Sequence, residues 1–318
     1  MIVTTVAKAP QLISYLSSRF PSSGIYVFVI SLVCLYCVLD APILLAHYDL
    51  GWHLAAGDFI RDHGHIPFQD PWSFTSGGKQ WFNLSWLGDV IASAIFQYAN
   101  LSGLVLLVVV CAAVIAGTLT SACLSSGASP IAVWISVFSA CLLYPALATV
   151  PTIYLSASPN IYTMVFSAIF YAECLKRTRR VFLLPAMMVL WANLHGGFLL
   201  GLPIVGVFSG VALLKRDWTN FKIYGIALIG CFVATFINPL GWHIYEAVTT
   251  TLGHFVQAYI DEWLPYYHNI TIPGSIPGIA YILIFIALEL SSRRLGPLEP
   301  RLLSWTFLLL GLYQYRYL

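Results

Sequence analysis

The side chains capable of chemistry are concentrated early in the chain, in Asp49-Leu50-Gly51-Trp52-His53-Leu54-Ala55-Ala56-Gly57-Asp58-Phe59-Ile60 and its continuation Arg61-Asp62-His63-Gly64-His65-Ile66-Pro67-Phe68-Gln69-Asp70-Pro71-Trp72-Ser73-Phe74-Thr75. Asp49 is a carboxylate able to take a proton from a hydroxyl when its reach and pKa suit the task. Its other role, compatible with the first, is to cap the helix that follows it. A second candidate is His195, set between two apolar runs and followed by Gly196-Gly197. An ionisable group within apolar sequence is expensive and usually functional, and the two glycines would let a ligand approach the backbone closely. His63-Gly64-His65, with His47 and His53, offers imidazoles of the kind that suit zinc or copper. Close histidine pairs are commoner in loops than metal sites are, and no metal ligand is assigned.

Composition says what kind of scaffold must hold these residues. Of 318 residues, 59% are apolar and 9% charged, and mean hydropathy is +0.82. A soluble chain carries roughly 25% charged residues, so a water-facing surface of this size could not be covered. The expectation is an all-α polytopic membrane protein whose helices face lipid and one another. Disorder is excluded, and so is a disulfide scaffold: most of the seven cysteines (Cys34, Cys37, Cys111, Cys141, Cys174, Cys231) sit in apolar runs as small hydrophobes. A net charge of +2 supplies no basic stripe, so no nucleic acid partner is expected.

Apolar runs lie near 24–46, 84–98, 102–121, 130–148, 160–175, 181–194, 196–214, 221–238, 275–290 and 302–316, behind a polar segment 1–23. Twelve of the fifteen Lys and Arg fall in four places: Lys8 and Arg19; Lys176, Arg177, Arg179 and Arg180; Lys215, Arg216 and Lys222; Arg293, Arg294 and Arg301. Cytoplasmic loops retain positive charge, which puts the N-terminus and these places inside and loops 47–83 and 239–274 outside. Three crossings between 47–83 and 149–159 would give the wrong parity. The shortest run, 84–98, which contains Gly88 and Asp89, is therefore expected to lie flat or re-enter, for about nine spans with ten as the alternative. All eight histidines then fall on or beside the outer face, and the outer loops carry seven carboxylates against Arg61 and Lys79, a net of −5. In 49–62, Trp52, Ala55, Ala56, Phe59 and Ile60 share one helical face, with Asp58, Arg61 and Asp62 opposite, as in a helix lying in the interfacial plane.

Asp49 followed by Trp52-His53, then Gly57, Gly64-x-Ile66-Pro67, Asp70-Pro71-x-Ser73-x-Thr75, Gly78, Trp81 and Trp86-Leu87, resembles the first outer loop of GT-C-type glycosyltransferases, including their uncharacterised bacterial members. Trp191-Ala192-Asn193-Leu194-His195-Gly196-Gly197-Phe198-x-x-Gly201 and Asn238-Pro239-x-Gly241 resemble two further blocks of that bacterial group. In pattern the resemblance covers about 24–318 as one domain. It implies a GT-C-like helical bundle in a bacterial inner membrane, with a long helical first outer loop. It also implies a sugar donor on a polyprenyl phosphate carrier and inverting transfer to an acceptor on the outer face. Asp49 matches the general base. His195 and Arg316 match the groups at the outer ends of spans that hold the lipid phosphate, an arginine suiting phosphate by its fork of donors. Trp52, His53, Asp70, Asn193 and Asn238 belong to the matching blocks as substrate-binding candidates, and Asp261-Glu262 in the second outer loop are placed to help bind a sugar.

The chain departs from the superfamily in two places. Segment 150–160 has no second acidic residue and carries Ser158 before Pro159, where the resemblance implies an arginine, and loop one has no Asp-x-Asp, which puts a divalent-metal-dependent mechanism in doubt. Two readings from other classes stand beside the enzyme. One is a non-catalytic membrane subunit on the same scaffold, consistent with the missing acid. The other is a lipid or solute transporter, which would usually show an internal repeat, and none is evident. Partners are expected to be membrane lipids and the lipid-linked sugar.

Overall fold

The computed structural model describes residues 22–39, 41–45, 47–137, 156–252, 259, 282–283, 286–287, 289 and 297–313. Among them every regular element is helical, and the one β-type pairing is an isolated bridge between Gln69 and Gln80. The helices are α1 (Ser22–Leu39), α2 (Ala41–Leu45), α3 (Leu50–His63), α4 (Trp86–Ser125), α5 (Asn160–Lys176), α6 (Leu184–Leu194), α7 (Gly201–Leu214), α8 (Trp218–Ala234), α9 (Ile244–Leu252) and α10 (Leu298–Tyr313). Residues 130–137 are also helical. Two helical segments, within Trp86–Ser125 and over Gly196–Leu214, are long and apolar enough to cross a membrane, judged by length and composition.

Local chemistry sets the boundaries. Helix α3 stops at Gly64, whose φ of 70° is the left-handed conformation that glycine adopts without a Cβ penalty, and whose N–H bonds back to Ile60 O. Helix α6 begins with Pro185 in its first turn, where a missing N–H costs nothing, and α8 begins under Asp217, whose carboxylate accepts from the Asn220 N–H. The forty residues of α4 are not one rod. Asn100, at φ 50° and ψ −151°, breaks them into α4a (86–99) and α4b (101–125). A Cβ at Gly103 would collide with Ile95 and Ala99, so the two arms close on each other at the break. The separate apolar runs 84–98 and 102–121 thus belong to one bent element.

Two apolar cores organise the bundle. In the first, Ile25, Val29, Val33 and Cys37 recur every fourth residue on α1 and pack with Leu104, Val108 and Ala112 of α4b. The second is centred on the fully buried Trp191, with Phe166 and Phe170 of α5 at ring-centroid distances of 5.6 and 5.2 Å. Tyr162, near the start of α5, touches both. The outward faces of α1 (Val27, Phe28, Leu35), α4b (Leu106, Val110) and α8 (Ile226, Ile229, Val233) stay exposed and apolar.

Charges gather at one end. Glu299, 3% exposed, accepts from Arg177 Nη2 at 3.1 Å and from Lys215 Nζ at 3.2 Å, and Arg301 Nε donates to Glu289 at 2.9 Å. Three of the four basic places in the sequence therefore contribute to one end of the bundle.

Against α4a lies α3. A Cβ at Gly57 would fall within contact distance of the Asp89 carbonyl oxygen and Ser93 Cβ, so the two backbones approach as only glycine allows. Gly57→Ala is expected to destabilise the protein by about 1–3 kcal/mol through overpacking, read as earlier thermal unfolding in detergent. Unchanged unfolding would mean that the two helices are not so tightly apposed.

Candidate functional site

The end of the bundle opposite the Glu299 cluster is built from the early stretch 47–99 and the block around Asn193. Its centre is a buried hydrogen-bonded chain. His53 Nδ1 lies 2.7 Å from Asp89 Oδ1, and Asn83 Nδ2 donates to Asp89 Oδ2 at 2.7 Å. Asn83 Oδ1 in turn accepts from the Ser85 N–H at 2.9 Å. Asp89 is fully buried and His53 6% exposed, and an unpaired carboxylate there would be costly. One helical turn or more along, Ser93 Oγ donates to Asp58 at 2.6 Å and accepts from Arg61 at 2.9 Å, while Arg61 also donates to Gln97. These bonds hold α3 and α4a side by side.

The buried face of α3 is therefore Leu50, His53, Ala56, Gly57 and Ile60, not one centred on Trp52 and Phe59. Periodicity alone cannot see that His53 has a carboxylate to face. Trp52 is 40% exposed and meets Trp81 edge-on, and Trp81 continues through Trp72 to Phe59 in a series of edge contacts at 5.1 to 6.0 Å.

Asp49 sits at the first turn of α3, where its backbone oxygen accepts from the His53 N–H at 3.0 Å. Its backbone is αR, and its side chain makes no cap hydrogen bond. The capping alternative is thus not what the structure shows. Asp70 does act on the backbone: its Oδ1 accepts from the Trp72 and Ser73 N–H groups at 2.9 and 3.0 Å, and the Ser73 hydroxyl, ahead of these two backbone bonds, pulls its pKa below the ordinary aspartate value.

Asn193 ties α6 to α4a and to the segment after α8. It accepts from Trp86 Nε1 at 2.9 Å and donates to Val189 O at 2.7 Å and Ile237 O at 2.8 Å. Asn238 accepts from the Leu240 N–H at 2.8 Å and donates to the Thr235 carbonyl. Trp86, Asn83, Ala192, Asn238 and Pro239 line one small cleft, so residues from all three sequence blocks meet there. His53, Asp70, Asn193 and Asn238 are all engaged within the protein, and these bonds make them braces of the site.

His195 follows α6 in extended backbone, at φ −165°. Its Nδ1 lies 2.7 Å from Thr163 Oγ1, which accepts from Trp191 Nε1 at 3.0 Å, and the Gly197 N–H donates to the same Nδ1 at 3.1 Å. The glycines serve this packing. A Cβ at Gly197 would strike Thr163, and one at Gly196 would meet Leu84 at 3.2 Å. The space expected for a ligand beside them is filled by the protein's own side chains.

The four histidines of the early stretch do not gather into one site: His47 Nδ1 accepts from the Asp49 N–H at 3.2 Å, His53 faces Asp89, and His63 and His65 meet edge-on at a ring-centroid distance of 6.0 Å with their Nδ1 atoms directed to Phe59 O and His63 O. Among the described residues no three His, Cys, Asp or Glu side chains come close enough to hold a metal ion. Asp261, Glu262 and Arg316 lie outside the described residues, as do Asp40, His254, His268, most of loop 239–274 and most of the run 275–290. Sequence reasoning passed over Asn83, Asp89 and Thr163 as site residues. An acid inside the apolar run 84–98 is the signal the sequence offers for Asp89. Thr163 offered none.

Among the described residues, fold and site together define a helical bundle with a polar network braced at one end and a basic cluster at the other. Comparison of the chain with protein-family models, with curated proteins and with solved structures found no match.

His53→Ala leaves Asp89 buried with Asn83 as its remaining side-chain partner and is expected to cost about 3 kcal/mol or more; adding Asp89→Leu should recover part of that loss. Thermal unfolding of the two single variants and the double variant gives the coupling, and additive effects would show that the pair does not hold α3. The turn at Asp70 has a pH signature. Because its folded pKa is lowered, its stabilisation is complete above the unfolded value of 3.8 and is lost as pH falls through the folded one. Amide exchange at Trp72 and Ser73, corrected for intrinsic rates, should show protection falling in that window, and Asp70→Asn should abolish the pH dependence.

Proposed function

We propose that the chain is a multi-pass, GT-C-type membrane glycosyltransferase with about nine spans, which moves a sugar from a polyprenyl phosphate donor to an acceptor at the outer face. The observation that supports this reading most is convergence. The three blocks that carry the family resemblance lie far apart in sequence, yet Trp86 of the first bonds Asn193 of the second, and Asn193 bonds the Ile237 carbonyl beside Asn238 of the third. They gather away from Arg177, Lys215 and Glu299, as expected if the basic end is cytoplasmic. The apolar exteriors of α1, α4b and α8 suit lipid better than water. The bend at Asn100 suits a first outer loop made of two helices, α3 and α4a, leaving α4b to cross.

In this reading Asp49, which does not cap α3, takes the proton of the acceptor hydroxyl. The acceptor oxygen forms a bond to the anomeric carbon, the bond from that carbon to the phosphate oxygen breaks on the opposite face, and polyprenyl phosphate leaves. His195 and Arg316 contact the departing phosphate. The bracing of α3 by His53, Asn83 and Asp89 keeps Asp49 in register with the bundle, which matters because small misplacements of a catalytic group cost large factors in rate. A second reading, a non-catalytic subunit on the same scaffold, draws on the internal engagement of His53, Asn193 and Asn238.

Asp49→Asn is expected to abolish transfer while leaving folding and donor binding intact. Native mass spectrometry of detergent-purified protein, looking for bound polyprenyl phosphate or its sugar conjugate in wild type and variant, separates the readings. A bound carrier with turnover lost in the variant supports the enzyme. Near-normal turnover removes Asp49 from the mechanism, and failure to bind added carrier favours the subunit.

A further inference from the structure

The geometry around His195 goes beyond the family reading, because it specifies which form of the imidazole is present. A backbone N–H can only donate. The Gly197 N–H points at His195 Nδ1 from 3.1 Å, so that nitrogen must be unprotonated; a proton on it would face another proton. Thr163 Oγ1, 2.7 Å from the same nitrogen, accepts the indole N–H of the fully buried Trp191 at 3.0 Å. Since Nδ1 carries no proton, the short contact between it and the hydroxyl requires that Thr163 donate. The chain runs in one direction only: Trp191 N–H to Thr163 oxygen, then Thr163 hydroxyl to His195 Nδ1. A ring with a bare Nδ1 is neutral and carries its proton on Nε2. The close fit protects the arrangement, since any side chain at position 197 would displace Thr163.

We propose that Thr163 is a positioning residue that, with the Gly197 N–H, holds His195 as the neutral tautomer protonated on Nε2, so that the residue meets a lipid phosphate or sugar oxygen as a single uncharged donor and not as a cation. The ligand half of this statement rests on the function proposed above; the tautomer half does not. The consequence is chemical. Charge compensation for a departing phosphate must come from elsewhere, while His195 supplies direction. Gln, whose amide nitrogen can stand where Nε2 stands, is the conservative replacement, and Arg is not.

The test is long-range proton–nitrogen NMR on the full chain in detergent with ring-labelled histidine, His195 being assigned by the signal lost in His195→Gln. At neutral pH the expected pattern is a protonated Nε2 and an unprotonated Nδ1. A proton on Nδ1, or on both nitrogens, overturns the proposal from wild-type protein alone. In Thr163→Val the fraction of rings with a bare Nδ1 should fall, and Thr163→Ser should restore it. A Thr163→Val ring identical to wild type would remove Thr163 from the positioning role. Added polyprenyl phosphate should shift the Nε2 resonance, and His195→Gln should retain its binding while His195→Arg loses it. Tighter binding by the Arg variant would overturn the neutral-donor role. An intact tautomer with no shift on adding carrier would remove the phosphate contact and the ligand half with it, while leaving Thr163 as the residue that sets the ring.

Discussion

A buried carboxylate is the constraint on which the end of this protein opposite the Glu299 cluster depends. Asp89 is fully buried on α4a, and its two oxygens are met by His53 from α3 and Asn83 from the connecting loop. Burial makes each of those bonds consequential, because a carboxylate without partners cannot stay in an apolar setting. The position of α3 follows from it: His53 can reach Asp89 only if the helices come within a glycine's width, and Gly57 provides that width. Asp49, one turn before His53 and bonded to its N–H, is carried into place by the same contact.

A second constraint joins the halves of the molecule. The core around α1 and α4b and the core around Trp191 meet at Tyr162, and the bond between Trp86 and Asn193 fastens α4a to α6 beside the second core. Asn193 uses its amide in both senses, accepting from Trp86 of α4a and donating to Val189 O one turn back on α6 and to Ile237 O beyond α8. An amide is suited to this, since it has two donors and an acceptor in one plane. At the far end Glu299 does comparable work with charge, drawing Arg177 from the end of α5 and Lys215 from the end of α7 onto one oxygen.

Paired glycines next to a functional-looking histidine invite the idea of an open approach for substrate, yet here they are closed by Thr163 and Leu84. The glycines let the chain turn sharply enough for the Gly197 N–H to come back on the preceding ring. That turn brings the Gly197 N–H and the Thr163 hydroxyl to the same ring nitrogen, and the Trp191 indole N–H to Thr163 behind it.

Composition and periodicity were enough to expect the helical build of the described residues, the approximate place of most of their helices and the grouping of basic residues, because these follow from local hydropathy and the distribution of Lys and Arg. The run 160–175 and the element Asn160–Lys176 nearly coincide, and the gap between the runs 84–98 and 102–121 falls at the break at Asn100. Partner choice was not legible. His53 read as a substrate residue in a loop motif, and the sequence contains nothing that says it lies 2.7 Å from an acid 36 positions away. Thr163 looked like any helical threonine until Trp191 and His195 were brought to it from a different helix. Local patterns report which face of a segment avoids water; which polar atoms then meet is set by packing between segments distant in sequence, and a contact between distant segments leaves no mark in the spacing of either one.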